Sequence, residues 1–198
     1  MAQDETTACN MALGYVGADG ISSLTESRHK NAEYCNRYFS SALRSTLEGA
    51  DWNFARVRRV LAASSDEPPA DWAYAYSYPS DCLKFRRFLE DRRTGNPTPF
   101  EIALKNDKSG KWILTDLSPA TGIFTANITS LALWDAEAFD AFTWKLASLI
   151  SVPITRKIEV AAAYDRVFQS KLIMAQVGDA NEGQKDEEPE SSFYKARL

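Results

Sequence analysis

The sequence predicts an α+β protein in which a bundle of about four helices is interrupted by an antiparallel β-sheet region in the middle of the chain. Before residue 50 and after residue 135, apolar residues recur at steps of three and four, as on the buried face of a helix. Between these segments, prolines and glycines separate short β-prone runs that leave no room for the crossover helices of a parallel sheet. We therefore assign residues 1–50 and 135–177 to the bundle, 51–134 to the β region, and 178–198 to an acidic, flexible C-terminal tail.

Two helices are predicted in the N-terminal part of the bundle. The first runs from Cys9 to Tyr15 and is followed by a glycine, Gly17, that suits a C-terminal cap. The second begins after the Ser22–Ser27 cluster, whose hydroxyls can cap a helix start, and ends at Gly49. The apolar face of this second helix consists of Ala32, Cys35, Phe39, Ala42 and Leu43.

The β region contains five runs with strand character, each bounded by turn-forming residues. These runs are Phe54 to Ala62, Cys82 to Leu89, Phe100 to Leu104, Trp112 to Asp116 and Ile123 to Ile128. Alternation within the last run is irregular, so the pattern predicts an antiparallel sheet without its register.

Two further helices are predicted after residue 135. The first is expected to end at Pro153, because proline lacks the amide donor that continues a helix. The second runs from about Thr155 to Val177, and its apolar residues cover nearly half of the helix circumference. One neighbouring helix does not cover so wide an arc. Either the helix is deeply buried in its own bundle, or part of the arc contacts another subunit.

Composition limits the chemistry that the chain can perform. There is one histidine, His29, so a mechanism or metal site that needs two imidazoles within one chain is excluded. Three widely spaced cysteines predict buried free thiols, and no phosphate-binding loop or other cofactor motif is present. The sequence also shows neither a signal peptide nor a membrane-spanning stretch. We expect a protein without cofactor or enzymatic activity.

Two other functional classes remain as alternatives. A nucleic-acid-binding module would use the central arginine clusters, but nearby acidic residues and the net charge of −4 weaken any concentrated positive field. We expect these arginines to pair with acids or to face partner subunits. The clusters are Arg56-Arg58-Arg59, Lys84-Arg86-Arg87 and Arg92-Arg93. A hydrolase would need distant carboxylates to meet in a cleft, which no spacing in the sequence requires.

Aromatic residues are concentrated between residues 52 and 78, and their arrangement resembles a known family. WNFAR, followed by PP-x-x-WAYAY-x-YP-x-DCL, resembles the head-to-tail adaptor of short-tailed phages, the tail tubular protein A family. Further similarity is found in ALG followed by ISSL before a helix, in TDLSPA, in Trp134-Asp135, in LASLISVPIT, and in an acidic tail that ends in an aromatic residue and ARL. The resemblance covers about residue 10 to residue 198.

The resemblance implies a structural virion protein with no reaction, cofactor or membrane contact. Members of that family form a dodecameric ring between the portal protein and the tail nozzle, which is a tail tubular protein B-like partner. DNA passes through the channel of the ring without specific binding. The implied location is the head–tail junction of the virion, after assembly in the host cytoplasm.

We infer candidate contact residues from position and residue type, since the family's interfaces are not defined by a short motif. Exposed aromatics suit anchors that bind in a partner's pocket. The candidates for portal binding are Phe193, Tyr194, Lys195 and Arg197. The candidates for a subunit or nozzle interface are Trp72, Tyr74, Tyr76, Tyr78, Tyr164 and Phe168. For the terminal residues, the alternative is a frayed end whose aromatics pack on the protein's own surface.

Overall fold

Four helices and two small antiparallel sheets form the part of the chain that the computed structural model describes, residues 3–26, 29–90 and 96–181. The predicted α+β class is confirmed. The helices are α1 (Glu5–Val16), α2 (Lys30–Gly49), α3 (Ala136–Thr155) and α4 (Ile158–Asn181). The strands are β1 (Arg56–Val60), β2 (Tyr74–Ser77), β3 (Cys82–Phe88), β4 (Glu101–Leu104), β5 (Lys111–Thr115) and β6 (Thr121–Ala126).

Helix α1 begins four residues before the predicted start. The Asp4 carboxylate accepts a hydrogen bond of 2.7 Å from the Thr7 amide and so caps the first turn. This hydrogen bond also lowers the pKa of Asp4. At the other end, Gly17 adopts a left-handed conformation with φ of 74°, which is the capping role expected of a glycine.

The prediction that Pro153 ends its helix is wrong. Helix α3 continues to Thr155 and stops where Arg156 adopts a left-handed conformation. Pro153 removes only one amide donor, the one that would bond to the Leu149 carbonyl, and the helix continues for two residues beyond it. The Thr155 hydroxyl donates a hydrogen bond of 2.8 Å to the Ser151 carbonyl in this last turn. Helix α4 likewise extends through Asn181, four residues into the segment assigned to the tail.

The β region forms two three-stranded sheets, with strand orders β1-β6-β3 and β2-β5-β4. Strand β2 was not predicted. It lies inside the aromatic block, and Tyr76 pairs there with Ile113 of β5. Residues of both sheets form one shared apolar core, so the sheets pack against each other. This core contains Leu61, Tyr76, Cys82, Phe85, Phe88, Ile113, Ala120, Phe124 and Ala126.

The helical core surrounds α3, which contacts each of the other helices. Trp52 and Phe142 are among its largest buried side chains. The Trp52 indole donates to the Thr46 carbonyl at 2.9 Å, which satisfies its one polar group inside the core.

Charged side chains connect the helices to the sheet β1-β6-β3. The Arg86 guanidinium on β3 donates at 3.2 Å to the carbonyls of Leu47 and Glu48, and also to the Ala50 carbonyl. It therefore caps the C-terminus of α2, where the helix dipole favours a positive charge. Asp51 follows this helix and pairs with Arg56 of β1 at 3.0 Å and with Arg87 of β3 at 2.9 Å. One carboxylate thus joins the two edge strands of the sheet.

Candidate partner-binding surfaces

The four aromatic candidates around β2 divide into core and surface residues. Tyr76 is buried between the sheets, and its hydroxyl donates to the Leu117 carbonyl at 3.0 Å. Tyr78 is half-buried, with its hydroxyl 3.3 Å from the Leu83 carbonyl, and burial raises its pKa. The assignment of Tyr76 to an interface is therefore corrected, because its side chain completes the chain's own core. Tyr74, at the start of the strand, is exposed.

Trp72 lies on the opposite face of the sheet β2-β5-β4. Its ring is partly buried against Trp112 and Leu114, and its indole nitrogen lies 3.2 Å from a carboxylate oxygen of Glu101. This side chain covers an apolar patch of its own sheet. Only part of the Trp72 side chain therefore remains accessible to a partner.

The two candidates on α4 hold the helix against its own bundle. Phe168 is buried, and Lys145 Nζ lies 5.0 Å from the centre of its ring. Tyr164 is half-buried, and its hydroxyl donates to the Tyr15 carbonyl at 2.6 Å. For Phe168, the interface assignment is corrected in favour of the core, the first of the two interpretations of the apolar arc.

Three exposed apolar side chains of α4 lie about one and a half to two and a half turns beyond Phe168. Ile173, Met174 and Val177 are 61%, 63% and 59% exposed, and we call these three residues the α4 ridge. Met174 is one of the apolar residues that form the wide apolar arc predicted for this helix. The pattern did not show that it faces water, because helical periodicity identifies apolar residues without identifying what covers them.

A concave apolar surface lies beside the other end of the same helix. We call it the α3–α4 groove, and it has a volume of about 560 Å³. Its apolar lining consists of Tyr38, Leu149, Val152, Pro153, Ala161 and Ala162. Its polar groups are the Tyr38 hydroxyl, Ser148, Lys145 and Asp165, and the last two pair with each other at 2.7 Å.

Three arginines of the central clusters pair with carboxylates within the described part of the chain. Arg59 forms two hydrogen bonds of 2.8 Å to Asp81, and these lower the pKa of the Asp81 carboxyl. Arg56 and Arg87 share Asp51, so pairing with acids is confirmed for these three arginines. Arg58 is exposed and has no ion pair among the described residues. Arg92 and Arg93 lie outside the described residues.

Residues 3–26, 29–90 and 96–181 contain no candidate metal site. No three His, Cys, Asp or Glu side chains there are placed to hold a metal ion. Cys9, Cys35 and Cys82 are buried free thiols, and the hydrogen bond with Cys35 together with burial raises the pKa of Cys9. None of the described helices has the length and apolarity needed to cross a bilayer.

The portal-binding candidates Phe193, Tyr194, Lys195 and Arg197 lie outside the described residues, and their assignment stays a prediction. Comparison with known proteins adds no further assignment: no protein-family model matches the chain, and no curated protein matches it.

Proposed function

We propose that this chain is a structural virion protein, a head-to-tail adaptor that forms a ring between a portal protein and a tail nozzle. The observation that carries the proposal is the resemblance of the WNFAR and PP-x-x-WAYAY-x-YP-x-DCL segments to that adaptor family. Within the described residues, two helices precede the antiparallel strands and two follow them, which agrees with the protomer that the resemblance implies.

The most specific part of the resemblance forms one structural unit. Tyr76 and Cys82 belong to the core between the two sheets, and the neighbouring Asp81 pairs with Arg59. The motif thus includes residues that hold the β region together. This agrees with a resemblance that extends to the fold, because Tyr76 and Cys82 pack inside the β region.

The charge distribution is compatible with a channel through which DNA slides. Each subunit has a net charge of −4, so a ring of twelve has a net charge of −48 (12 × −4). A net charge of this sign fits repulsion or near-neutrality toward the phosphate backbone rather than strong binding of it. The pairing of Arg56, Arg59 and Arg87 with carboxylates also weakens the alternative of a nucleic-acid-binding module.

The proposal is tested by mixing the purified protein with portal rings from the same phage and measuring the mass of the product by native mass spectrometry. We expect twelve copies to join each portal. A second measurement titrates duplex DNA at physiological salt. Absence of any complex with the portal, or micromolar or tighter DNA binding by the free protein, would contradict the adaptor role.

A further inference from the structure

We propose that Cys9 and Cys35 are a redox-active pair, which a thiol oxidant converts into a disulfide that links α1 to α2. Cys9 lies on α1, Cys35 lies on α2, and both side chains are fully buried in the helical core. The bond acts as a staple between the two helices, because it forms under oxidising conditions and is broken by thiol reductants. The inference does not depend on the adaptor role.

The two thiols contact each other in the folded protein. They share a hydrogen bond, which lowers the pKa of Cys35 and raises the pKa of Cys9. The Cys9 thiol is therefore the donor, and Cys35 carries the sulfur on which a thiolate forms more readily. A disulfide joins its sulfurs at about 2.05 Å, so closing the bond needs only a short approach of two atoms that are already in contact.

Asparagine side chains hold the two helices beside the thiols. The residue that follows each cysteine is an asparagine, and both of these asparagines bind the segment between the helices. Asn10 accepts a hydrogen bond of 2.7 Å from the Ile21 amide and donates one of 3.0 Å to the Ile21 carbonyl. Asn36 donates to the Leu24 carbonyl. The segment is thus fastened to both helices, which limits how far the two sulfurs can separate.

The third cysteine belongs to a different core. Cys82 lies on β3, in the core between the two sheets that also contains Phe85 and Phe124. Of the three possible pairings within one chain, only Cys9 with Cys35 joins two thiols of the same core. Burial also raises the pKa of Cys82, which keeps its thiol protonated and unreactive.

The reaction is a two-electron oxidation, which the azo compound diamide performs. The Cys35 thiolate adds to one nitrogen of the N=N bond, and the Cys9 sulfur then attacks the Cys35 sulfur, which forms the S–S bond and breaks the S–N bond. Two S–H bonds are lost, and their two protons and two electrons convert the azo compound into a hydrazine. Diamide reaches the pair when α1 opens locally, because a helix of twelve residues is too short to be stable by itself.

The disulfide should stabilise the helical bundle. It closes residues 9–35 into a loop of about 27 residues, and such a cross-link restricts the unfolded chain. It also keeps α1 attached to α2 when α1 would otherwise open. We expect oxidation to raise the melting temperature by about 5–10 °C, and reduction with dithiothreitol to reverse this rise.

Counting the thiols after oxidation tests the pairing. The folded protein is treated with diamide, unfolded in guanidinium chloride that contains iodoacetamide, and analysed by mass spectrometry. We expect one alkylated cysteine, Cys82, in each oxidised chain, and a disulfide between the tryptic peptides 1–28 and 31–37. Three alkylated cysteines, or any disulfide other than that between Cys9 and Cys35, would overturn the inference.

Two variants serve as matched controls. Cys82→Ala should form the disulfide as the wild type does, whereas Cys35→Ala should keep its two remaining thiols and show no rise in melting temperature with diamide. An equal rise in Cys35→Ala would show that the disulfide is not the cause. The thiol count on the wild type needs no substitution, so it decides the pairing even where a core variant is unstable. Because the free protein is measured, the outcome leaves the adaptor role to its own test.

Discussion

Gly122 lies directly beneath the ring of Phe85. A Cβ atom at position 122 would stand 2.7 Å from Phe85 Cε2 and 3.0 Å from Leu61 Cδ2. Gly122 is also in the central strand of its sheet, where it pairs with Arg59 on one side and Phe88 on the other. Neither the strand nor the buried ring can move away easily, so this position accepts no side chain.

We therefore predict that Gly122→Ala lowers the free energy of unfolding by about 1–3 kcal/mol through overpacking. The matched control is Gly110→Ala, since a Cβ atom there would meet nothing within 4 Å. Urea denaturation of the three proteins measures the difference. A Gly122→Ala variant as stable as the wild type would show that the ring of Phe85 is not held in place.

Replacing Phe168 tests the assignment of the α4 aromatic to the core. Phe168→Ala should lower the free energy of unfolding by about 3–5 kcal/mol, the usual cost of truncating a buried phenylalanine. Ile173→Ala on the same helix should change stability by less than about 0.5 kcal/mol, because this side chain is exposed. Thermal and chemical unfolding compare the two variants. Equal effects would contradict the division of α4 into a buried face and a ridge.

The half-buried guanidinium of Arg86 should contribute more to stability than the exposed guanidinium of Arg58. Arg86→Met leaves the carbonyls of Leu47, Glu48 and Ala50 without their charged donor. We expect a loss of about 2–3 kcal/mol in the free energy of unfolding. Arg58→Met, in the same sheet, should lie within about 0.5 kcal/mol of the wild type. If the two variants are equally stable, Arg86 does not stabilise the junction.

The pairing of Asp81 with Arg59 predicts a pH dependence of stability. Hydrogen bonds from Arg59 lower the pKa of Asp81 in the folded state below its unfolded value of about 3.9. The stabilisation is therefore present above the unfolded pKa and is lost as pH falls through the folded pKa. Because the pair is partly exposed, we expect Asp81→Asn to cost no more than about 1 kcal/mol at pH 7.

Urea midpoints of the wild type and Asp81→Asn, measured from pH 7 downward, check this expectation. The two curves should converge as the pH falls below about 4. High salt should also bring them together at pH 7, because salt screens an exposed ion pair. A difference that grows on acidification would contradict the pairing.

Deletion of Ser191–Leu198 tests the proposed portal anchor. We expect an unchanged melting temperature but lost or strongly weakened portal attachment, because the deletion removes the aromatic anchors Phe193 and Tyr194. The double variant Phe193→Ala/Tyr194→Ala should reproduce the loss, and Ser191→Ala/Ser192→Ala serves as its control. Attachment of the truncated protein at wild-type strength would exclude the anchor.

Regular periodicity made much of the fold predictable. The apolar spacing identified α2 and α3, and the short runs between turn residues identified five of the six strands that the described residues form. Strand β2 was missed because Tyr74 and Tyr76 were interpreted as an interface wall rather than as alternate residues of a strand. The end of α3 was misplaced because Pro153 removes only the hydrogen bond to the Leu149 carbonyl, and the helix continues for two residues beyond it.

The candidate surfaces were less predictable than the fold. Residue type identified the aromatic residues. It did not distinguish Tyr76, which is buried against the sheet β1-β6-β3, from Tyr74, which is exposed to water. The same limit applies to α4, where Phe168 is buried and Ile173 is exposed. Which apolar residues are covered depends on tertiary neighbours that are distant in sequence, and helical or strand periodicity does not encode them.

The Asp51 and Arg86 junction has a mechanical consequence. Arg86 attaches β3 to the end of α2, while Asp51 ties β3 to β1 across the sheet. A pulling force applied to the helices therefore enters the sheet at both edges instead of peeling one strand at a time. Because the Arg86 hydrogen bonds and the Asp51 ion pairs would bear this force at the same time, we expect them to break together. The helical and β layers should rupture in one event rather than separate stepwise, and a ring of such subunits would resist axial tension as a set of stiff blocks.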